Sequence, residues 1–143
     1  MKLSIILPFV FASWSLFAEE ADLIGEWRFT SFVLDEQIYP APNPNLDLRF
    51  RFSDSHIATL AWSRSDENGA CERKAHYIEQ NGLLYQKVFW VNPENRMDCG
   101  HDLDMQMDRE TINKVSVKNK ELRMELQLSD KILTYIFKRV TSF

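Results

Sequence analysis

The chain has 143 residues, of which 45% are hydrophobic, and its formal net charge is −4. A length near 150 residues indicates a single domain, and this apolar content is too high for a disordered chain. The acidic balance gives no basic footprint for nucleic acid. The sequence has only four glycines and contains neither a glycine-rich phosphate-binding loop nor an H-E-x-x-H zinc motif.

The first 18 residues have the pattern of a secretory signal peptide. One early cation, Lys2, precedes the apolar run 3–17, which is too short to span a bilayer comfortably. The run is followed by Ala18 and an acidic pair. We therefore expect cleavage after Ala18, a mature domain of residues 19–143 with no transmembrane segment, and a periplasmic or secreted location. A retained N-terminal anchor is the alternative.

Apolar and polar residues alternate along the mature chain, as in strands with one buried face. In the segment 121–128, for example, every second residue is Leu or Met and the others are charged or polar. No segment carries a convincing helical stripe. The alternation predicts nine strands, at residues 23–33, 46–53, 56–64, 71–79, 83–91, 101–108, 112–118, 121–128 and 131–139.

Short turn-like pairs separate most of these strands. Asn81-Gly82 is the strongest of them, because a two-residue hairpin turn needs positive φ at both central positions. Short connections between antiparallel strands make an up-and-down meander, and about nine strands must curl or close to cover their inner face. The sequence therefore predicts an all-β fold closed into a barrel of eight to nine strands. A two-sheet sandwich is the alternative.

The turns also predict the register of the strands. Two-residue loops at 119–120 and 129–130 would place Leu122 opposite both Val117 and Phe137, so that both hairpins share one apolar face. Around Asn81-Gly82 the same reasoning predicts an interior face that mixes apolar and polar side chains: Arg73, Ala75, Tyr77, Leu84, Gln86, Val88 and Trp90.

The two cysteines fall on the same rim of this meander. Cys71 opens the fourth predicted strand, and Cys99 lies in the loop before the sixth. This is the placement that a disulfide needs, and an exported protein meets oxidising conditions. We therefore predict a Cys71–Cys99 disulfide. A metal site built on Cys99 and His101 lacks a fourth ligand at a recognisable spacing, so no metal or other cofactor is expected.

Two short motifs, one at each end of the mature chain, resemble those of one protein group. The triplet Gly25-Glu26-Trp27 resembles the G-x-W signature of lipocalins and of the wider lipocalin-like, or calycin, group. The segment 133–140 resembles the final barrel strand of that group, in which an Arg commonly packs over the Trp. The resemblance, which fits short bacterial domains best, implies that Arg139 and Trp27 close one end of the barrel. It also implies binding of small hydrophobic molecules.

A barrel of eight strands is either filled by side chains or wide enough for one small ligand. The many bulky interior residues favour filling, whereas the polar ones favour an amphipathic ligand with an acidic head. For Arg73 the alternative is stacking on Trp90, and for Met105 it is soft core packing. The candidate ligand-binding residues are Arg73, Tyr77, Gln86, Trp90, Met105 and Tyr135.

Catalysis has little support in the sequence. The three histidines, His56, His76 and His101, lie on separate segments and outside any motif that supplies a nucleophile. The acidic residues within 98–108 have period-two spacing, which favours the solvated face of a strand over a calcium site. We therefore expect a binding protein and not an enzyme.

The leading hypothesis is an exported, monomeric barrel that binds a small hydrophobic or amphipathic molecule. The first alternative is a protein-binding module, such as an inhibitor of a protease or a lysozyme, that uses the rim loops 40–45 and 92–100. The second alternative is an accessory envelope protein with a filled barrel.

Overall fold

The computed structural model describes residues 21–141, which form nine β-strands and two short 3₁₀ helices. The predicted signal peptide, residues 1–18, lies outside this described part. None of the helices within residues 21–141 is long and apolar enough to cross a membrane. The strands are β1 (Gly25–Leu34), β2 (Gln37–Pro40), β3 (Leu46–Phe52), β4 (Ile57–Arg64), β5 (Ala70–Gln80), β6 (Leu83–Val91), β7 (Glu110–Lys118), β8 (Glu121–Leu128) and β9 (Lys131–Arg139).

The strands form a closed antiparallel barrel. Consecutive strands from β3 to β9 pair with one another, and β1 pairs on one side with β3 and on the other with β9. The barrel therefore has eight strands, and β2 is an extra strand paired to the last residues of β1. The predicted meander barrel is confirmed, and the two-sheet sandwich is wrong.

The predicted hairpin registers are also present. Leu122 pairs with Val117 on one side and with Phe137 on the other. Asn81 and Gly82 have φ values of 54° and 77°, as a tight hairpin turn with two left-handed residues requires. These turns are local, so the sequence patterns around them were sufficient to predict the pairing.

The predicted strand at 101–108 is wrong. Its place is taken by the 3₁₀ helices Met97–His101 and Leu103–Met105 within the connection from β6 to β7. The Asp102 side chain accepts a hydrogen bond from the Asp104 backbone N–H at 3.0 Å, a local bond that competes with strand pairing. Met105 is buried, whereas Leu103 and Met107, which would share its face if 101–108 were a strand, are exposed.

The strand β2 was not predicted, and it restores the number of strands to nine. All four of its residues are exposed, so no face of it alternates between buried and solvated side chains. The strand is stabilised by backbone pairing with β1, which it follows after the turn at residues 35–36.

The two ends of the barrel differ. One end, which we call the closed end, contains most of the largest fully buried side chains, including Trp27, Phe52, Leu84, Leu122 and Phe137. The other end, which we call the mouth, is where β1, β4, β6 and β8 finish and where β5, β7 and β9 begin. The aromatic and leucine core thus fills one half of the barrel and leaves the other half available for a cavity.

Candidate functional site

A cavity of about 760 Å³ occupies the half of the barrel next to the mouth. The connection 92–109, with its two 3₁₀ helices, forms part of its border. The apolar wall comes from two pairs of neighbouring strands, β3–β4 and β8–β9, and consists of Leu46, Leu48, Phe50, Leu60, Met124, Leu126 and Phe137. These are alternating positions, so the strand pattern itself turns them inward.

The polar wall of the cavity is centred on Arg73 of β5. This side chain is only 3% exposed. It donates three hydrogen bonds to neutral oxygens: Nε to the Asp104 carbonyl at 3.1 Å, Nη1 to the Ala58 carbonyl at 3.3 Å and Nη2 to Gln86 Oε1 at 3.2 Å. Its guanidinium also lies over Phe50, 5.4 Å from the ring centroid.

The charge of Arg73 has no direct counter-ion. Among the residues that the structure describes, no carboxylate forms an ion pair with this guanidinium. Burial lowers the pKa of Arg73 to about 10, so the group is still a cation at neutral pH. The Asp104 and Asp102 carboxylates offset the effect of burial only in part, and a buried charge without a contacting counter-ion retains much of its desolvation cost. Arg73 is therefore the strongest polar feature of the cavity.

Asp104 brings a carboxyl group to the same cavity. Burial, and then the neighbouring Asp102 carboxylate, raise the pKa of Asp104. Asp102 itself has two donors, the Asp104 backbone N–H and Trp62 Nε1 at 3.2 Å. Tyr135 also lines the cavity, and burial raises the pKa of its hydroxyl. The polar wall thus combines one buried cation with acidic and neutral groups.

The connection that borders the cavity is held in place from both sides. The predicted disulfide between Cys71 and Cys99 is present, with the two Cα atoms 5.7 Å apart. The guanidinium groups of Arg64 and Arg96 lie 5.0 and 5.1 Å from the centroid of the Trp62 ring. These contacts tie the 3₁₀ helices to strands β4 and β5.

The connections at the mouth have a strongly negative net charge. The connections at this end, residues 35–36, 41–45, 65–69, 92–109 and 129–130, contain ten acidic residues and two arginines, a formal charge of −8. The nine strands together contain 13 basic and 7 acidic residues. We call the ten acidic residues the acidic rim: Asp35, Glu36, Asp66, Glu67, Glu94, Asp98, Asp102, Asp104, Asp108 and Asp130.

The structure brings three of the predicted ligand-binding residues together at the cavity, namely Arg73, Gln86 and Tyr135. Two others lie outside its lining. Tyr77 is buried nearer the closed end, where its hydroxyl donates to the Ser53 carbonyl at 2.8 Å. Met105 is buried in the hydrophobic core, which agrees with the alternative of soft packing.

Trp90 does not lie against Arg73. A register shift between Lys74 and Ala75 pairs Trp90 with Lys74, whose ammonium group lies 4.8 Å from the centroid of the indole. The irregularity inserts one residue into β6 and so turns Trp90 to the other side of the sheet. The expected stacking of Arg73 on Trp90 is therefore wrong, and Phe50 takes that place.

Sequence reasoning missed Asp102 and Asp104 as cavity residues. Both fell in the segment interpreted as a strand, where their spacing predicted a solvated outer face. The informative signal was the density of aspartates in 98–108, because aspartate side chains favour turns and helix starts over strand interiors.

No protein-family model matches the sequence, and a search of curated proteins finds no match. Among solved structures, a lipocalin-like protein from Bacteroides uniformis ATCC 8492 is 14% identical with a TM-score of 0.58, covering 84% of this chain and 100% of that chain. The REP1-NXSQ fatty acid transporter is 13% identical with a TM-score of 0.44, covering 85% and 98%. Fatty-acid-binding protein 1 of Echinococcus granulosus is 8% identical with a TM-score of 0.42, covering 82% and 97%. The first of these similarities shows that this chain shares the lipocalin-like barrel fold.

Proposed function

We propose that this protein is an exported carrier that binds one small amphipathic molecule, with an acidic head group, in the open half of its barrel. The observation that carries the proposal is the buried Arg73 guanidinium, which faces a cavity of about 760 Å³ without a carboxylate partner in residues 21–141. A cavity of this volume lies in the ordinary range for small-molecule sites, roughly 300 to 1,000 Å³.

An acidic head group is the chemistry that best satisfies Arg73. Its three hydrogen bonds go to two backbone carbonyls and to the Gln86 amide oxygen, all of them neutral. A ligand carboxylate would add a charge-assisted hydrogen bond and the missing counter-charge. Gln86 already orients the guanidinium, so little ordering is needed when the ligand binds.

The apolar part of the ligand has a matching surface. The adjoining strands β3 and β4 contribute Leu48, Phe50 and Leu60 to the apolar lining, and β8 contributes Leu126. Each Å² of apolar surface removed from water contributes roughly 25 cal/mol. Because side chains fill the closed end, a ligand can enter only the half of the barrel next to the mouth. We therefore expect a ligand shorter than the barrel. The cavity argues against the alternative of a barrel that is completely filled by side chains.

Export is supported by the signal-peptide pattern of residues 1–18 and by the disulfide. Structural disulfides persist mainly in secreted and periplasmic proteins.

The disulfide also bears on metal binding. It uses both sulfur atoms that lie near the Asp98 carboxylate, so this cluster offers a metal one carboxylate and no thiolate. The likeness to a lipocalin-like structure supports a binding role for the barrel. We therefore favour a binding protein over an enzyme.

The test is a calorimetric titration of the disulfide-bonded mature chain with dodecanoic acid and with dodecanol. We expect the acid to bind about tenfold more tightly, because a charged hydrogen bond contributes more than a neutral one. Arg73→Gln should remove this difference. Arg123→Gln, a change of an exposed outer residue paired with Glu121, is the matched control and should preserve it.

Equal affinity of the wild type for the acid and the alcohol would contradict the role of Arg73. Absence of binding to both would contradict the carrier function itself. Because the comparison of the two ligands uses the wild-type protein, the result does not depend on whether Arg73→Gln folds.

A second candidate function is the binding of a basic protein at the mouth. The acidic rim lies beside exposed apolar side chains of β2, the 92–109 connection and the β8–β9 hairpin, namely Ile38, Tyr39, Leu103, Met107, Leu128 and Ile132. Exposed apolar patches mark interaction sites, and opposite charge would steer a basic partner to this one. The loops 41–45 and 92–109 both belong to this surface.

A basic lysozyme is a suitable probe for this second function. We expect biolayer interferometry to show binding at low salt, with a slower association rate for Asp35→Asn plus Glu36→Gln and at high salt. The matched control is Glu79→Gln, which changes an acidic residue at the opposite end of the barrel. Binding that is absent, or that is insensitive to both salt and the rim variant, would contradict this candidate.

A further inference from the structure

We infer that the cavity ligand is zwitterionic: next to the acidic group bound by Arg73, it carries an ammonium or similar cationic group that binds the Asp104 carboxylate. This inference rests on the proposed function and specifies the chemistry of the ligand head group. It follows from the position of Asp104, from the charges around it and from the charge of the mouth.

Asp104 is in direct contact with Arg73, but not through its carboxylate. Arg73 Nε donates to the Asp104 backbone carbonyl at 3.1 Å. The Asp104 side chain lines the same cavity. Across residues 21–141 this carboxylate has neither a hydrogen-bond donor nor an ion-pair partner from the protein. A cation and an anion therefore face one cavity from adjacent positions and attract each other through space without forming an ion pair.

The surroundings make the Asp104 charge unfavourable. Burial, and then repulsion by the nearby Asp102 carboxylate, raise the pKa of Asp104, and Arg73 and Arg109 offset this only in part. The Asp102 carboxylate already accepts hydrogen bonds from Trp62 Nε1 and from the Asp104 backbone N–H. Tyr135 also lines the cavity, and burial raises the pKa of its hydroxyl, so this group is neutral at ordinary pH and supplies no cation. A cationic group from the ligand is what would relieve this site.

A purely anionic ligand fits the site less well. Its head group would satisfy Arg73 but would place a second negative charge close to Asp104. It would also have to pass the acidic rim, whose connections carry a formal charge of −8. Fields of this kind repel anions and concentrate cations at a mouth. A zwitterion has no net charge and supplies both partners at once.

The simplest ligand class with this chemistry is a long-chain α-amino acid, or an acyl lipid whose head group joins an acidic group to an amine. The probe we choose is α-aminododecanoic acid. Dodecanoic acid is its matched comparison, because the two differ only in the amino group. α-Hydroxydodecanoic acid replaces the cation with a neutral donor and separates charge from hydrogen bonding.

The experiment is calorimetric titration of the disulfide-bonded mature chain with all three acids near neutral pH. We expect α-aminododecanoic acid to bind about tenfold more tightly than dodecanoic acid, with the hydroxy acid close to the latter. Asp104→Asn should abolish the preference for the amino acid. Asp108→Asn is the matched control, because it removes an exposed aspartate of the same connection and should keep the preference.

The possible outcomes are distinct. If dodecanoic acid binds as tightly as the amino acid, the zwitterion inference is wrong and the carrier function stands. If the hydroxy acid equals the amino acid, or if Asp104→Asn retains the preference, the cation–Asp104 contact is wrong. If none of the three acids binds, the carrier function and the inference fail together.

Discussion

The guanidinium carbon of Arg139 lies 4.2 Å from the centroid of the Trp27 indole ring, which joins the last strand of the barrel to the first. Nη1 of Arg139 donates to the Ile24 carbonyl at 2.6 Å, and Nη2 donates to the Asp22 carbonyl at 3.0 Å. Trp27 is completely buried, and its Nε1 donates to the Leu23 carbonyl at 2.7 Å. Arg139 therefore covers the closed end and binds the backbone of residues 22–24 to it.

We expect Arg139→Ala to lower the free energy of unfolding by about 2 to 3 kcal/mol, since it removes a cation–π contact and three hydrogen bonds, one of them to the Asp22 carboxylate. Arg139→Lys should lower the free energy of unfolding by less, because it retains the cation although it loses the planar guanidinium. Urea denaturation measures both changes. Lys138→Ala, at the exposed neighbouring position, is the control. An Arg139→Ala midpoint equal to that of the control would contradict this role.

Gly25 is required next to this contact. Its φ is +128°, and a Cβ placed there would lie 2.8 Å from Arg139 Nη1. We expect Gly25→Ala to destabilise the fold by about 1 to 3 kcal/mol through backbone strain and to displace the guanidinium from Trp27. Urea denaturation followed by tryptophan fluorescence measures both effects.

Gly100→Ala is the matched control for Gly25→Ala, because a Cβ at Gly100 has no neighbour within 4 Å in the part of the chain that the structure describes. If both alanine variants have wild-type midpoints, the conformational requirement at Gly25 is refuted.

The Asp104 carboxyl predicts a specific pH dependence. Its pKa is raised in the folded state above the ordinary value of 3.8, so the folded protein holds this proton more tightly than the unfolded chain. The contribution of Asp104 to stability therefore falls as pH rises from about that value through the folded-state pKa. Asp104→Asn removes this loss, and we expect it to be more stable than wild type at neutral pH.

Urea denaturation at about pH 3 and about pH 7 tests this prediction, because the difference between the two proteins should be small at the lower pH and larger at the higher one. Asp108→Asn, on the same connection, should show no such increase. A constant difference between Asp104→Asn and wild type across this range would rule out the stated cause.

The disulfide should stabilise both the fold and the border of the cavity. The bond joins residues 28 apart in sequence, and the chain-entropy relation predicts a contribution of about 3.6 kcal/mol. We expect the double change Cys71→Ser with Cys99→Ser to lose an amount of this order in urea denaturation. Hydrogen exchange of the backbone amides should become faster in 92–109. The amides of the β8–β9 hairpin should remain protected when the two proteins are compared under conditions that give them equal global stability. Uniformly faster exchange would show that the bond has no special effect on this connection.

Much of the fold could be predicted because its determinants are local. Alternation along β8 and β9 and the two-residue turns beside them were enough to predict that Leu122 faces Phe137. The positions of Cys71 and Cys99 followed from counting strands. The contact of Arg139 with Trp27 came from motifs at the chain ends together with strand parity, and it is present.

The candidate site was only partly predictable, because its details depend on contacts between distant segments. One extra residue in β6 turns Trp90 outward, and period-two reasoning cannot detect such an irregularity. The two 3₁₀ helices form where aspartate side chains bind nearby backbone and a disulfide anchors the segment. Whether Tyr77 or Tyr135 reaches the cavity depends on depth along the barrel, which alternation does not encode.

In regular strands such as β8 and β9 the amino-acid pattern thus determined which side chains point into the barrel, since parity along a strand is a local property, whereas the irregularity in β6 reversed it for Trp90. The tertiary structure decided how those side chains share the interior. Large residues of β1, β3, β6, β8 and β9 meet at the closed end and fill it, while Arg73 is left facing open space near the mouth. Packing is set by the sum of volumes brought together from separate strands, and that sum exists only once the barrel has closed.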